Sequence, residues 1–300
     1  MVSPQDDIFV EGSRFHWALE YTRLPASEPR AIAEAVRRAL TETEENINVV
    51  VAFGRTLWKD LAADRVPAGL RSFESMGEPG KTEAPATQRD IFFWIHGPAM
   101  DAVFDTALSI QRAMATVAEL DLDVPGFAYR DSRDLTGFID GSANPKNEAA
   151  RDAALVPSGS VGSGGTFVLT QQWVHDLANF NALSLGDQEG VIGRTKADSV
   201  ELQGDAMPPD SHVSRTDAEV DGVAMKIFRR SFPYGTVARH GLYFLAFACD
   251  IERFDVQLRR MYGVSGDGVH DRITEFSQAI TGSYWFAPGK DDLKAALSMG

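Results

Sequence analysis

Short apolar runs alternate along this chain with longer amphipathic stretches. The run IFFWIHG, which begins at Ile91, has the length of a buried strand, and residues 99–120 then repeat apolar positions at helical spacing. The run LYFLAFACD, from Leu242, leads in the same way into an amphipathic stretch, and residues 28–43 have the spacing of another helix. The pattern predicts a protein built from both strands and helices.

The two halves of the chain echo each other. The segment at Ile91 matches that at Leu242, and HWALEY from His16 matches TFVLTQQW from Thr166. A third pair shares the letters GRT: VVVAFGRTLW in the first half and EGVIGRTKAD in the second. All three pairs occur in the same order, which predicts two similar α+β units in tandem.

Each unit is expected to hold an antiparallel sheet with helices on one face, and the two sheets to pack together or form a barrel. The Gly-rich, polar stretch at residues 146–165 marks the boundary. We therefore expect an N-terminal domain at residues 1–150 and a C-terminal domain at residues 151–300.

Charge and composition narrow the classes of partner. The 300-residue chain has a formal net charge of −14 and no basic run, so nucleic acid is not an expected partner. Its N-terminus lacks the features of a signal peptide, and no apolar run is long enough to span a membrane. With a single cysteine, Cys249, the chain can form no internal disulfide. These features favour a cytoplasmic protein without a membrane partner.

Asp140 is the first candidate for chemistry. It lies in LTGFIDGSANP, where apolar residues precede it, Gly141 follows, and Asn144 and Pro145 close the turn. A DG turn needs no catalytic explanation, because a turn aspartate commonly bonds nearby backbone. The apolar side of this loop is equally typical of a pocket wall.

His212 and Arg229 are the other candidates. None of the six histidines belongs to a closely spaced metal-binding pair, so a zinc site is not expected, although a cofactor needing one histidine remains possible. His212 lies in the Pro-rich, polar PPDSHVSRTD, and Arg229 lies in the strand-like KIFRRSFPYG. An arginine there requires either solvent, as on an edge strand, or an anionic partner.

Four segments occur in a fixed order along the chain: GFIDGSANP, SHVSRTD, KIFRRSFPYGT and HGLYFLAFACD. In this order they resemble the dye-decolorizing peroxidases, in particular the compact bacterial kind without a Tat signal. Residues 137–141 match the GxxDG motif of that family, and the late ITGSYWFAPG extends the match over most of the chain. The resemblance implies a duplicated ferredoxin-like fold and one heme b per chain, held mainly by the C-terminal half.

The resemblance also implies the residues of the site. His212 would bind the iron, and Asp140 and Arg229 would stand over the other face of the heme, with Asp140 as acid and base and Arg229 stabilising negative charge and keeping Asp140 ionised. Arg230 would point the other way along the strand. Further cofactor contacts are expected from Gly141, Ser142, Asn144 and Ser231, and Glu275, ahead of Asp271, is expected to pair with His212.

The implied activity is reduction of hydrogen peroxide coupled to one-electron oxidation of dyes, phenols and other small aromatic reductants. The family also implies a homo-oligomer, a dimer or larger. Two alternatives stay open at this stage. One is a heme-handling protein, such as a carrier, sensor or iron-release factor, with little peroxidase turnover. The other is a heme-free protein in which Asp140 is only a turn residue.

Overall fold

The structure, a computed structural model, describes residues 3–44, 46–78 and 82–298. The strands in the described part of the chain are β1 (Phe15–Arg23), β2 (Asn48–Phe53), β3 (Met76–Glu78), β4 (Thr82–Ala84), β5 (Ile91–Gly97), β6 (Ala118–Phe127), β7 (Thr166–His175), β8 (Glu219–Val220), β9 (Val223–Ala224), β10 (Phe228–Arg229), β11 (Phe232–Gly235), β12 (His240–Ala248), β13 (Ser277–Ala279) and β14 (Ser283–Ala287).

The helices over the same residues are α1 (Pro29–Thr41), α2 (Arg55–Leu61), α3 (Met100–Met114), α4 (Glu148–Ala154), α5 (Leu177–Ala182), α6 (Leu185–Ile192), α7 (His212–Thr216), α8 (Glu252–Met261) and α9 (Lys290–Leu297). Short 3₁₀ helices occur at Asp6–Phe9, Ala63–Arg65, Gly204–Ala206 and Arg272–Glu275.

Each half of the chain forms a four-stranded antiparallel sheet of the same topology. In the first half the strands lie in the order β6-β1-β5-β2, and in the second in the order β14-β7-β12-β11. Both orders place the fourth strand of the unit beside the first and the third between the first and second, which is the ferredoxin-like arrangement. The predicted duplicated ferredoxin-like fold is confirmed.

The two sheets join into one closed barrel. Strand β6 pairs with β11 through Tyr234 and Gly126, and β2 pairs with β14 through Phe53 and Phe286. These two seams connect the edges of the half-sheets, so the eight strands form a continuous ring.

The strands separate two apolar cores. The barrel interior contains aromatic side chains such as Phe92, Trp94, Tyr243 and Trp285, all fully buried. The outer faces of the sheets carry the alternate residues, and helices α1, α3, α8 and α9 contribute to the core that covers them. The predicted helices on the outer faces are thus present.

Two of the three sequence echoes are equivalent strands. The pair at His16 and Thr166 lies in β1 and β7, the first strand of each unit. The pair at Ile91 and Leu242 lies in β5 and β12, the third strand of each unit. The prediction for the GRT pair is wrong: Gly54 precedes helix α2 after a strand, whereas Gly193 ends helix α6 with φ of 89°. The division at residue 150 stays a prediction, and helix α4 lies across it.

No helix in the described ranges is long and apolar enough to cross a membrane.

A carboxyl group is buried inside the barrel. Glu20 of β1 is 1% exposed, and its Oε1 accepts hydrogen bonds from the Tyr243 hydroxyl at 2.7 Å and the Thr170 hydroxyl at 2.9 Å. The Trp285 indole N–H donates to the same Thr170 hydroxyl at 2.9 Å. Burial raises the pKa of Glu20 to about 7, although the hydrogen bonds that Glu20 accepts from Tyr243 and Thr170 oppose the rise.

The burial of Glu20 predicts a pH-dependent contribution to stability. The folded protein keeps the Glu20 proton up to about pH 7, whereas the unfolded chain releases it near 4.5, so folding loses roughly 3 kcal/mol from this group as pH rises through that window. In Glu20→Gln this loss is absent. We compare the free energy of unfolding of the variant with that of wild type at each pH. From about pH 4 to about pH 8 this difference should shift by roughly 3 kcal/mol in favour of the variant.

Denaturant unfolding at both pH values measures this difference. His16 and His96 act in the opposite direction, because burial lowers both pKa values to about 3 and their stabilising effect is lost as pH falls below 6.5. Their contribution is common to both proteins and cancels in the comparison. The exposed Glu119→Gln is the matched control. A Glu20→Gln difference that does not change with pH would contradict the prediction.

Candidate functional site

A cavity of about 260 Å³ lies on the outer face of the C-terminal sheet. Strands β7 and β12 supply alternate residues to its floor, while their neighbours in sequence, such as Thr170 and Tyr243, point into the barrel. Helices α7 and α8, the GxxDG segment and β10 complete the wall. Its apolar lining includes Leu169, Trp173, Leu242, Phe244, Leu258, Met261 and Ile273.

The GxxDG segment is the returning arm of a small hairpin. Arg133 and Ile139 pair as an antiparallel bridge, and the Asp140 N–H donates to the carbonyl of Ser132 at 2.9 Å. The glycines that bracket the motif, Gly137 and Gly141, have φ of 89° and 80°, a region that disfavours side chains. The hairpin thereby fixes the backbone of Asp140 at the cavity wall.

Asn144 joins this hairpin to the strand that carries Arg229. Its side-chain amide donates to the Arg229 carbonyl at 2.8 Å, and its Oδ1 accepts the Arg229 N–H at 2.9 Å. Asn144 thus replaces a neighbouring strand for one residue of β10. It does not line the cavity, and it acts on the site by holding Arg229.

Asp140 and Arg229 both line the cavity. Neither the Asp140 carboxylate nor the Arg229 guanidinium has a protein hydrogen-bond or ion-pair partner among the residues that the structure describes. The two groups do not form an ion pair with each other in that part of the chain. Both groups are therefore available to a bound molecule.

The neighbours of Arg229 alternate as the sequence predicted. Arg230 faces away from the cavity, and its guanidinium lies 5.3 Å from the ring centre of Trp94. Ser231 lines the cavity, as do Gly141 and Ser142. The Ser231 hydroxyl accepts the Leu245 N–H at 3.3 Å, which fixes it against β12.

His212 is the first residue of helix α7, and its backbone is held from several sides. Ser211 caps the helix, with its hydroxyl accepting the Ser214 N–H at 3.3 Å. Arg215, only 3% exposed, donates to the carboxylate of Asp267 and to the Arg260 carbonyl of helix α8. These contacts fix a helix of only five residues, which packing rather than its own hydrogen bonds must stabilise.

The imidazole of His212 is paired with Asp271. Its Nδ1 lies 2.7 Å from Asp271 Oδ2, and the Asp271 side chain is fully buried. Since a carboxylate only accepts, this contact places a proton on Nδ1, and in the neutral ring Nε2 then carries the free lone pair. Within the described residues Nε2 has no protein partner, and the His212 side chain is 27% exposed.

Glu275 was the wrong choice as the partner of His212. It lies at the end of the 3₁₀ helix that follows Asp271, its side chain is 47% exposed, and its Oε1 lies 3.3 Å from His270 Nε2. Asp271 caps the start of that helix, with Oδ1 accepting the Ile273 N–H while Oδ2 faces His212. One carboxylate thus serves both tasks, and Glu275 does not line the cavity.

A second imidazole in the cavity wall was missed by the sequence analysis. His175 ends strand β7, and its Nε2 lies 3.0 Å from Asp134 Oδ1 while its Nδ1 lies 2.7 Å from the Ser277 hydroxyl. Burial would raise the pKa of Asp134, but its contacts with His175 and Thr136 outweigh that effect and lower it to about 2. No spacing in the sequence signals this cluster, because its members are far apart along the chain.

The cavity fits the cofactor that the family resemblance implies. Its walls are largely apolar, which suits a flat aromatic ring system, and it offers one imidazole nitrogen, as a heme iron requires. The carboxylate behind His212 is the usual outer partner of a metal-bound histidine. Gln171 Nε2 is buried and has no partner among residues 3–44, 46–78 and 82–298, so the cavity also holds a hydrogen-bond donor that these residues do not use.

Two family models match the chain. The N-terminal domain of Dyp-type peroxidase matches residues 16–128, and the C-terminal domain of Dyp-type peroxidase matches residues 131–292. A dye-decolorizing peroxidase of Mycobacterium tuberculosis is 36% identical over 83% of this chain and 75% of its own length. That of Brevibacterium linens is 34% identical over 83% of this chain and 69% of its own.

Solved structures resemble the fold over nearly the whole chain. A putative Dyp-type peroxidase from Shewanella oneidensis is similar with a TM-score of 0.92 and 30% identity, covering 100% of this chain and 99% of that one. A variant of Rhodococcus jostii DypB in complex with heme has a TM-score of 0.90 at 32% identity, covering 97% and 98%. A dye-decolorizing protein from V. cholerae has a TM-score of 0.88 at 36% identity, covering 98% and 99%.

The double hydrogen bond of Asn144 generates a testable expectation. Asn144→Ala removes both bonds to the Arg229 backbone, and at about 1 kcal/mol each we expect a loss of roughly 2 kcal/mol in the free energy of unfolding. Asn144→Asp keeps an acceptor but cannot donate to the Arg229 carbonyl, so it should not restore the wild-type value.

Denaturant unfolding, with amide hydrogen exchange at Arg229, measures the effect. Asn181→Ala, at an exposed position of helix α5, is the matched control and should not weaken the fold. If the Arg229 amide of Asn144→Ala exchanges at the wild-type rate, the two hydrogen bonds of Asn144 do not hold this strand.

Proposed function

Because this chain belongs to the Dyp-type peroxidase family, we propose that it reduces hydrogen peroxide at a heme bound in the cavity shared by His212, Asp140 and Arg229. The chain is a heme-dependent peroxidase. The observation that carries the residue assignment is that one cavity is lined by an imidazole bonded to a carboxylate, and by an acid and a guanidinium that no described residue pairs with.

His212 is proposed to hold the iron through Nε2. The hydrogen bond from Nδ1 to Asp271 orients the ring and makes Nε2 a stronger electron donor. When bound, the heme supplies an iron centre that accepts peroxide as a ligand and exchanges electrons with reductants. The apolar walls exclude water from the cofactor, and we infer that Gly141, Ser142 and Ser231 contact it from the Asp140 side.

Asp140 is proposed to move the proton. Hydrogen peroxide must lose a proton from one oxygen and gain one on the oxygen that leaves as water, and a carboxylate held at the cavity wall can do both in turn. Its backbone is fixed by the bond to Ser132, so the carboxylate needs only side-chain rotation to reach a bound molecule. The absence of a protein partner among the described residues keeps its oxygens free for this task.

Arg229 is proposed to stabilise the negative charge that develops on the departing oxygen. A guanidinium fixed in advance gives this stabilisation without reorganising at the moment of reaction. Asn144 contributes by fixing the backbone of Arg229, because it bonds both the N–H and the carbonyl of that residue and connects them to the Asp140 segment. The backbones that carry the two charged groups are thus tied together.

The reductants are proposed to be dyes, phenols and other small aromatic molecules that each give up one electron. The family models and the curated relatives are named as peroxidases, and the relatives as dye-decolorizing, which favours this activity over a heme-handling protein with little turnover. A carrier needs neither a proton-transfer group nor an anion stabiliser in its pocket, and the presence of Asp140 and Arg229 in the cavity wall supports a peroxidase.

The domain division, the location and the partners belong to the same proposal. We infer that residues 1–150 form the domain that carries Asp140 and residues 151–300 the domain that carries the iron ligand. The net charge of −14 argues against a nucleic-acid partner, and the single cysteine fits a cytoplasmic protein. The homo-oligomer, a dimer or larger, and the lack of a membrane partner rest on the family resemblance and the apolar pattern of the sequence.

Removing the two charged groups tests the mechanism. We expect Asp140→Ala and Arg229→Ala each to slow the reaction with hydrogen peroxide by about 100-fold or more, because one loses the proton carrier and the other the charge stabiliser. Stopped-flow absorption at the heme band, before and after one equivalent of peroxide, measures the rate.

Asp105→Asn and Arg37→Ala, at exposed positions on helices α3 and α1, are the controls. Wild-type rates in the double variant Asp140→Ala/Arg229→Ala would rule out the proposed roles of both residues. Absence of a heme band after heme is supplied would rule out the cofactor site.

The partner of His212 is tested by removing each of the two acids in turn. Asp271→Ala should weaken heme binding by about 10- to 100-fold, since the imidazole loses its buried hydrogen-bond partner. Glu275→Ala should leave the dissociation constant unchanged, because Glu275 pairs with His270 at the surface. Transfer of heme to an acceptor apoprotein measures the affinity, and equal losses in both variants would contradict the assignment.

A further inference from the structure

Three side chains form a buried chain along one end of the cavity. Asp134 Oδ1 lies 3.0 Å from His175 Nε2, and His175 Nδ1 lies 2.7 Å from the Ser277 hydroxyl. The side chains of His175 and Asp134 are only 5% and 14% exposed. The other Asp134 oxygen accepts the N–H and hydroxyl of Thr136. Hydrogen bonds shielded in this way are stronger than the same bonds in water.

The two ends of this chain belong to segments with proposed roles. Asp134 begins the turn of the hairpin whose returning arm carries Asp140. Ser277 begins β13, directly after the 3₁₀ helix that Asp271 caps, and Asp271 pairs with His212. His175 stands between them at the end of β7, where it is the cross-strand neighbour of Ser277.

We propose that His175 is a positioning residue that fixes the Asp140 hairpin relative to the segment that holds His212. The inference rests on the proposed roles of Asp140 and His212 and deepens them. His175 does not act on peroxide itself. It sets the separation between the acid–base group and the iron ligand by tying their two supporting segments to one strand of the barrel.

No other hydrogen bond of the hairpin in the described residues supplies this link, although Phe138 packs on Phe180, which in turn contacts Phe276. Arg133 donates to the carbonyls of Lys196 and Ala197, which follow helix α6, and Asn144 ties the segment to β10. Among the described residues, the hydrogen bond from His175 is the one that joins the hairpin turn to β7 and β13. Its loss would remove the polar tie between the turn and the Asp271 segment and leave only the apolar packing of Phe138, so the turn would move more relative to Asp271.

The imidazole can keep both contacts in either protonation state. A neutral ring donates a hydrogen bond from Nε2 to Asp134 and accepts one at Nδ1 from the Ser277 hydroxyl. A protonated ring donates a hydrogen bond from each nitrogen. The link therefore does not depend on pH, which distinguishes a positioning device from a titrating switch. Substitution of His175 also removes a contact that lowers the pKa of Asp134, so a change in pH dependence is assigned to Asp140 only where Asp134→Asn does not reproduce it.

Hydrogen exchange in the heme-loaded protein tests the positioning directly. We expect His175→Phe, which keeps the volume but loses both hydrogen bonds, to speed exchange of the Asp134, Gly137 and Asp140 amides about tenfold. His175→Gln, which can still donate to Asp134, should recover part of the protection. His240→Phe is the matched control, because the His240 ring at the start of β12 contacts the Thr236 carbonyl and not the hairpin, and exchange in α3 should be unchanged throughout.

The catalytic consequence is read from the pH profile of kcat/KM for hydrogen peroxide. In His175→Phe we expect about a tenfold lower kcat/KM and a displaced acidic limb, with an unchanged KM for the aromatic reductant. Partial rescue of both by His175→Gln is the signature of positioning. Loss of global stability alone would lower the amount of active enzyme without moving the limb.

The outcomes separate this inference from the proposed function. Wild-type exchange of the hairpin in His175→Phe overturns the inference. So does faster exchange with an unchanged pH profile, provided that Asp140→Ala is inactive. If Asp140→Ala stays active, the proposed role of Asp140 fails, while the exchange result still decides whether His175 holds the hairpin. If His175→Phe does not fold, wild-type exchange in both His175→Gln and Ser277→Ala overturns the inference.

Discussion

The pairing of the two half-sheets at their edges is the constraint on which the rest of the structure depends. A four-stranded sheet alone would expose unpaired N–H and C=O groups on two edge strands, and closure into a ring removes both edges. At one seam the end of β6 meets β11 through Gly126 and Tyr234. The chain that leaves β6 therefore starts beside the strands of the other half.

That seam explains why Asp140 and Arg229 share a cavity although they are far apart in sequence. The segment after β6 forms the Asp140 hairpin and then reaches β10, where Asn144 takes the place of a neighbouring strand for Arg229. The N-terminal half thus delivers an acid to a pocket built on the C-terminal sheet. Duplication and closure together create a site that neither half contains alone.

Polar side chains around the cavity divide into two groups by their pairing. Asn144, Asp271 and His175 are engaged with protein on both sides, and each fixes a segment that carries another residue. Asp140 and Arg229 have no protein partner among the described residues. Satisfied groups give rigidity, whereas an unpaired charge in an apolar wall is costly and persists where a ligand uses it.

The sequence was sufficient for features that depend on local periodicity. Alternating apolar strands and helical spacing predicted the tandem units, and the alternation of side chains along a strand correctly separated Arg229 from Arg230. The two GRT segments are not equivalent, because their glycines lie at opposite ends of helices. Gly54 precedes α2, whereas Gly193 follows α6 with φ of 89°.

The contacts of His212 and His175 were beyond local reasoning. Asp271 and Glu275 are one helical turn apart, and the choice between them depends on which one faces inward from a 3₁₀ helix. Asp134, His175 and Ser277 meet only because β13 adds to β7 beside the hairpin. Such contacts follow from the tertiary arrangement, and no short pattern encodes them.

Duplication also raises the question of why only one of the two outer sheet faces carries this cavity. On the N-terminal face, α1 and α3 pack directly on the sheet, and side chains such as Ile32, Val36, Ile110 and Met114 are buried in that core.

On the C-terminal face, the short α7 stands off from the strands and presents His212 at its first turn. A helix of five residues cannot cover the sheet as α1 and α3 do, so the apolar floor formed by Leu169, Leu242 and Phe244 stays available to a ligand. The barrel interior offers no alternative, because large aromatic side chains fill it. The short helix α7 therefore both leaves space over the sheet for the cofactor and presents its proposed ligand, His212.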